Sequence, residues 1–198
     1  PQELSDELAL SAGSISLRLG MVFILILMNA YFVAAEYSLV AVRRSKIDQL
    51  ASEGARSAAA VQRALNRLGR TISATQLGVT LASLAIGWIG EPAFAGLLHG
   101  SFDVIGIHLS DSAASSAAAV AVAFIVITFL HIVFGELAPK SVALSKAEIT
   151  SRVLVFPLTL FAKLMSPFIS VLNVSANGLL TLLRVELAEE GAEVHSAD

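Results

Sequence analysis

Residues 120–140 read VAVAFIVITFLHIVFGELAPK. Up to Phe134 this run carries only Thr128 and His131 as polar side chains, and it then meets Gly135, Glu136 and Pro139 before its first cation, Lys140. Extended back through the alanine- and serine-rich stretch from Ala113, it is long enough to cross a hydrocarbon core of about 30 Å at about 1.5 Å of helix per residue. Two other runs match it. Leu17 to Val42 is apolar except for Arg18, Asn29 and Glu36, and Thr71 to Leu98 holds Ser73, Thr75, Gln76, Thr80 and Ser83. The second gains little from facing lipid and is expected to face protein or water. Of 198 residues 56% are hydrophobic and 15% charged, with a mean hydropathy of +0.77, whereas a soluble domain carries about 25% charged residues. The predicted fold class is therefore an all-α integral membrane protein, with transmembrane helices at about 17–42, 71–98 and 113–138 and a fourth hydrophobic block still to place. A soluble enzyme is excluded. The chain has no cysteine, which removes disulfides and thiolate metal sites, and its net charge of −3 argues against nucleic acid as a partner.

A fourth hydrophobic block, Val153 to Leu183, contains Pro157, Pro167, Lys163, Asn173 and Asn177. It admits two readings, a fourth transmembrane helix or broken amphipathic helices lying along the interface. Orientation follows from the cations. Seven of the 13 basic residues (Arg43, Arg44, Lys46, Arg56, Arg63, Arg67 and Arg70) lie between the first two runs, and none lies between His99 and Ser112. The positive-inside rule makes the first connector cytoplasmic, the N-terminal segment 1–16 extracytoplasmic, and Lys140, Lys146 and Arg152 cytoplasmic again. Arg43–Ser52 and Arg56–Leu68, divided by Glu53-Gly54, are expected to form a helical hairpin. Its charges set the topology in the simplest reading and bind anionic headgroups or a docking partner in a functional one. Pro1 and the acidic tail 185–198 suggest a fragment or processed form.

The chemistry concentrates at Gly135-Glu136-Leu137-Ala138-Pro139. Proline has no amide proton, so a helix continuing through Pro139 deprives the Gly135 carbonyl of its usual partner. A carboxylate beside a free backbone oxygen suits a hard cation, and an unpaired intramembrane carboxylate needs a cation, a proton or a basic partner. Glu36 and Glu136, the latter four residues before Lys140, are expected at a similar inner depth, together with Thr75, Gln76, Gly78 and Thr80. All-oxygen ligands favour Mg²⁺ or Na⁺ over zinc or copper. The simpler reading of Glu36 is an ion pair with Lys140 or Arg70, and His131 reads as a packing residue or a proton relay. Neither HExxH, GxSxG nor GxxxxGK[ST] occurs, so no catalytic constellation is expected.

The ordered segments Asn29-Ala30-Tyr31-Phe32-Val33-Ala34-Ala35-Glu36, Ser73-Ala74-Thr75-Gln76-Leu77-Gly78-Val79-Thr80-Leu81-Ala82-Ser83, Gly90-Glu91-Pro92 and Phe134-Gly135-Glu136-Leu137-Ala138-Pro139-Lys140-Ser141 resemble the membrane domain of the CNNM/CorB/CorC family, from about Leu17 to about Arg184. The resemblance implies three spans, a cytoplasmic helical hairpin, a juxtamembrane helical belt at 153–184 and a cytoplasmic C-terminus in the inner (plasma) membrane. It further implies a homodimer in the lipid bilayer, Mg²⁺ export coupled to Na⁺ entry, and cytosolic CBS domains that bind adenine nucleotide, so the sequence to Asp198 is expected to be the isolated membrane domain. Glu136 and the carbonyl of Gly135 match the family's Gly-Glu-x-x-Pro motif at the cation site. The serines that Mg²⁺-binding relatives carry in the first span correspond to Val33 and Ala35, and their asparagines to Val79, Thr80 and Ser83. Gln76, Thr80 and Ser83 then become the replacement ligands, and the ion stays open. The resulting expectation is a CorC-like divalent-cation transporter domain. Glu136, Gly135, Thr80 and Ser83 hold the metal, while Glu36, Gln76, Pro139 and Lys140 support the pathway. Its rivals are a metal-responsive scaffold without transport and a transporter of another cation.

Overall fold

A computed structural model describes residues 2–104 and 113–183, with side chains at 16–90, at Phe94 and at 120–183. These residues are helical except for short turns: α1 (Gln2–Ala41), α2 (Arg44–Ser52), α3 (Arg56–Leu65), α4 (Leu68–Val104), α5 (Ala113–Leu130), a π-helical segment (His131–Leu137), α6 (Ala138–Ser145), α7 (Ala147–Leu164) and α8 (Ser166–Leu182). The expected all-α membrane architecture is what forms. Three stretches are long and apolar enough to span: Ser16–Ala41, Leu68–Gly90 and Val120–Ser145. The third run starts its helix at Ala113 and continues beyond 138, because the helix passes through Pro139 to Ser145 instead of stopping there. Helix α1 extends back to Gln2, over the segment assigned to the extracytoplasmic side, and α4 continues through Glu91 and Pro92 to Val104. The end of the expected outer loop, 105–112, together with Arg184 and the acidic tail, lies outside the described residues.

Two layers of packing hold the spans together. In one half, Val22 and Ile26 of α1 meet Ile86 of α4 and Ile127 of α5. In the other, Phe32, Ala35 and Leu39 of α1 share a core with Ile47 of α2, Ala58 and Val61 of α3, and Val155 and Leu158 of α7. The hairpin expected between the first two spans is present. Helix α2 ends at Gly54, whose φ of +91° favours glycine. There the amides of Gly54 and Ala55 cap the carbonyls of Ala51 and Leu50, both at 3.0 Å, the Schellman pattern that satisfies a helix end.

The fourth hydrophobic block forms two helices bent by 73° at Met165. Tyr31 donates to the Leu154 carbonyl at 2.9 Å, and the neighbouring Phe32 ring lies 4.7 Å from that of Phe161. Leu154 and Phe161 are about 10 Å apart along α7 yet meet adjacent residues of α1, so α7 crosses α1 rather than running beside it. Its protein face is Ser151, Val155 and Leu158, while Ile149, Val153, Phe156, Leu160 and Leu164 form an exposed apolar stripe at helical spacing. A crossing helix with such a stripe has the character of an interfacial belt, so the packing favours that reading over a fourth straight span.

One close approach supports this junction. A Cβ on Gly78 would lie 2.6 Å from the Phe32 ring, which is only 4% exposed and is hemmed in by Phe161. Gly78→Ala should therefore lower stability by about 1–3 kcal/mol through overpacking. Gly87→Ala, where a Cβ meets nothing within 4 Å, should be neutral or gain up to about 1 kcal/mol from helix propensity. Thermal unfolding in detergent separates the two, and equal melting temperatures for both variants would refute the Phe32 contact.

Candidate cation site between the spans

The break anticipated at Pro139 takes a specific form. From His131 to Leu137 the helix widens to π geometry, and the Ala138 amide donates to the carbonyl of Val133, five residues back. Pro139 has no proton to give, and the Gly135 carbonyl turns to another helix. Asn29 Nδ2 donates to it at 3.0 Å, in a buried bond between α1 and the third span. The carbonyl expected to be free is therefore engaged by an amide, although an oxygen with two lone pairs keeps one acceptor site.

Asn29, 1% exposed, is the hub of a polar cluster. A carbonyl can only accept, so the amide of Asn29 must face Gly135 and its Oδ1 must face the other way. There Ser83 of α4 donates to Oδ1 at 3.3 Å, and the same hydroxyl lies 3.4 Å from Nε2 of His131. The single hydroxyl proton goes to Asn29, which leaves Nε2–H of His131 as the donor towards Ser83. The imidazole lies over Gly135, where a Cβ would come within 2.8 Å of the His131 ring and 3.2 Å of Asn29 Nδ2. Glycine is the residue that lets both groups approach. One cluster thus joins all three spans.

A second polar contact lies further along. Thr75, fully buried, donates to Glu36 Oε2 at 3.1 Å. Glu36 has no cationic partner among the described residues. Lys140 Nζ lies 4.4 Å from the Tyr37 ring centroid, and Arg70 donates to the Ser166 hydroxyl. The ion pair expected for Glu36 is replaced by a hydroxyl and the cations are used elsewhere. The contacts also fix the levels. With Asn29 opposite Gly135, Glu136 stands near the height of Ala30, about 9 Å of helix from Glu36. The single polar layer inferred from the sequence is two layers, Asn29–Ser83–His131–Gly135 and Glu36–Thr75.

Between these layers the helices diverge. Helix α4 packs on α5 and on α1, whereas the π segment and α6 pack chiefly on α1 and scarcely touch α4. Gln76, Thr80 and Ser83 follow one stripe of α4 at helical spacing, and Ser83 fixes the direction of that stripe, towards the third span. Gln76 and Thr80 are exposed, as is Glu136 on the third span. The Thr80 hydroxyl donates to the Gln76 carbonyl at 2.8 Å, so its oxygen is available as an acceptor. Glu136 has neither a hydrogen bond nor an ion pair among the described residues. The Asn29–Ser83–His131–Gly135 cluster is thus flanked by exposed polar groups, Thr80 and Gln76 on α4 and Glu136 on the third span. Along α1, Val33 and Ala35 are buried in packing and contribute no ligand. Among the described residues no three His, Cys, Asp or Glu side chains converge, so a cation here would rely on one carboxylate and neutral oxygens.

Sequence reasoning passed over Asn29 as a site residue. Its signal was present, since a carboxamide in the middle of an apolar run is costly without partners, and Asn29 lies two helical turns before Glu36.

The architecture and the intramembrane polar cluster define a multi-pass helical membrane domain. The chain matches the family model of the cyclin M (CNNM) transmembrane N-terminal domain over residues 20–198, and it belongs to that family. It is 46% identical over 178 residues to the UPF0053 protein YhdT of Bacillus subtilis, covering 90% of this chain and 38% of that protein. To YugS of the same organism it is 42% identical over 182 residues, 92% of this chain and 42% of the relative. To the uncharacterized protein Rv1841c of Mycobacterium tuberculosis it is 36% identical over 170 residues, 86% and 47% respectively. The chain spans less than half the length of these relatives.

Asn29→Leu should strand the Gly135 carbonyl and the Ser83 hydroxyl, lowering stability by about 1–3 kcal/mol, with a smaller loss for Ser83→Ala. Thermal melts of the single and double variants should be non-additive if the three groups act as one cluster. Strict additivity would argue against it.

Proposed function

We propose that this chain is the membrane domain of a divalent-cation transporter, with Mg²⁺ as cargo and Na⁺ as the coupling ion. The observation that carries the reading is Glu136, an exposed carboxylate inside a span that has no hydrogen bond or ion pair among the described residues and lies within the π-helical break. Such a group is costly in lipid and is expected to hold a cation, a proton or a polar partner. Mg²⁺ keeps several of its waters and is commonly held by only one or two carboxylates. A site with one carboxylate, the hydroxyls of Thr80 and Ser83 and the second lone pair of the Gly135 carbonyl has that character. Pro139 keeps the break from closing into a regular helix, and movement of the third span about it would alternate access between the two sides. Lys140, held over Tyr37, and the Glu36–Thr75 contact would line the inner end of the path.

The reading extends to a homodimer in the inner membrane, with the N-terminus outside and the C-terminus cytoplasmic. In the whole protein, CBS domains binding adenine nucleotide would regulate it. The apolar Val33 and Ala35, where the family resemblance places serines in Mg²⁺-binding relatives, favour a second reading in which the cargo is a different cation. A metal-responsive scaffold is the non-transporting variant and would bind the ion without flux.

Thermal stability in detergent, titrated with Mg²⁺, Mn²⁺, Ca²⁺ and Na⁺, tests the site directly, because a ligand of the folded state raises stability by RT ln(1 + [L]/Kd). A saturable Mg²⁺ shift should appear and should be lost in Glu136→Gln, together with Mg²⁺ flux in proteoliposomes. Binding without flux selects the scaffold. An unchanged shift in the variant removes Glu136 from the site.

A further inference from the structure

Where the hairpin leads into the second span, α3, the start of α4 and the α7–α8 corner enclose a cavity of about 690 Å³. Its rim carries Arg63, Arg67, Arg70 and Lys163, and its floor is apolar, with Leu158 and Ala162 from α7. No carboxylate lines it. Arg70 gives one N–H to the Ser166 hydroxyl, whereas Arg63, Arg67 and Lys163 have no hydrogen-bond or ion-pair partner among the described residues. The hairpin's acids are occupied elsewhere: Asp48 accepts from Gln62 at 2.7 Å and Glu53 from Gln49 at 2.8 Å. The one ion pair among the described residues, Arg152–Glu148 at 3.2 Å, lies outside this cavity.

Setting topology requires cations on one side of the membrane, but it does not require them to converge on a cavity. Arg63, Arg67 and Arg70 recur at helical spacing across the α3–α4 turn, and Lys163 faces them from a different element. The exposed Leu160, Leu164 and Phe168 continue past Lys163 onto the belt surface. The cavity therefore has a cationic mouth at the membrane edge and an apolar surface leading away from it.

We propose that this cavity binds the phosphate headgroup of an anionic lipid, with its acyl chains along the exposed apolar face of α7 and α8. Guanidinium groups match phosphate oxygens in bidentate geometry, and a lipid is selected over a free phosphate by the apolar track. Bound there, the headgroup would tie the hairpin to the α7–α8 corner and offset the mutual repulsion of the four cations. This inference is independent of the ion carried at Glu136.

The test uses the 198-residue chain in detergent, followed by thermal shift with dioctanoyl phosphatidylglycerol, dioctanoyl phosphatidylcholine and inorganic phosphate. Phosphatidylglycerol should give a saturable shift and phosphatidylcholine none. Near a surface each charge contributes about 1 kcal/mol, so Arg63→Gln/Arg67→Gln should weaken binding about 30-fold and Lys163→Gln about 5-fold. Arg43→Gln/Lys46→Gln removes the same charge outside the cavity and should change it less than about 3-fold. Equal loss in the two double variants would overturn the site in favour of diffuse attraction, as would equal stabilisation by phosphatidylcholine. Inorganic phosphate acting as strongly as the lipid would overturn the lipid assignment. Melting temperatures without lipid verify that each variant is folded.

Discussion

The hydrogen bond from Asn29 to the Gly135 carbonyl is the contact around which the membrane spans are organised. Pro139 creates the demand for it, because a carbonyl without an amide donor inside a bilayer has no water to turn to. Gly135 makes it geometrically possible, since any side chain there would collide with His131 and crowd the Asn29 amide. Asn29 then needs its own oxygen satisfied, which brings in Ser83 from α4. One missing proton thus fixes the mutual height of three helices.

That registration has a chemical consequence. With the apex of the bundle closed by an amide and a hydroxyl, the neighbouring carboxylate of Glu136 is left exposed. The bundle is tight where Ile86 and Ile127 pack on α1, and looser where the π segment and α6 leave α4. Neutral polar groups fix the geometry of the apex, and the charged group beside it takes no part in that packing. The belt then holds the other end. Phe32, pressed against Gly78 and Phe161, couples the first span to α7 and so to the hairpin.

Family membership and geometry carry different parts of the account. Membership in the cyclin M family establishes the kind of membrane domain this is. The particular donor set belongs to this chain, in which Val33 and Ala35 are packed away and Asn29, Ser83 and His131 form the polar apex. The basic cavity at the α3–α4 turn is a separate feature, built from side chains that the spans themselves do not need.

Much of this was legible from residue order alone. Three apolar runs, a basic connector and the Glu53-Gly54 divide gave the spans and the hairpin, because hydrophobic length and a glycine C-cap are local properties. Pro139 announced that a backbone oxygen near Gly135 would lose its partner, since that too depends only on chain chemistry. What took that oxygen was not legible. Asn29 is 106 residues away from Gly135, and only the packed helices bring the two together. The same holds for Glu36, which finds Thr75 rather than a cation, and for the two polar layers that looked like one. Periodicity also could not place α7, whose apolar stripe suits a span or a belt equally. The crossing over Tyr31 and Phe32 favours the belt, because tertiary contacts determine the direction of a helix relative to its neighbours and sequence pattern determines only which of its faces is apolar.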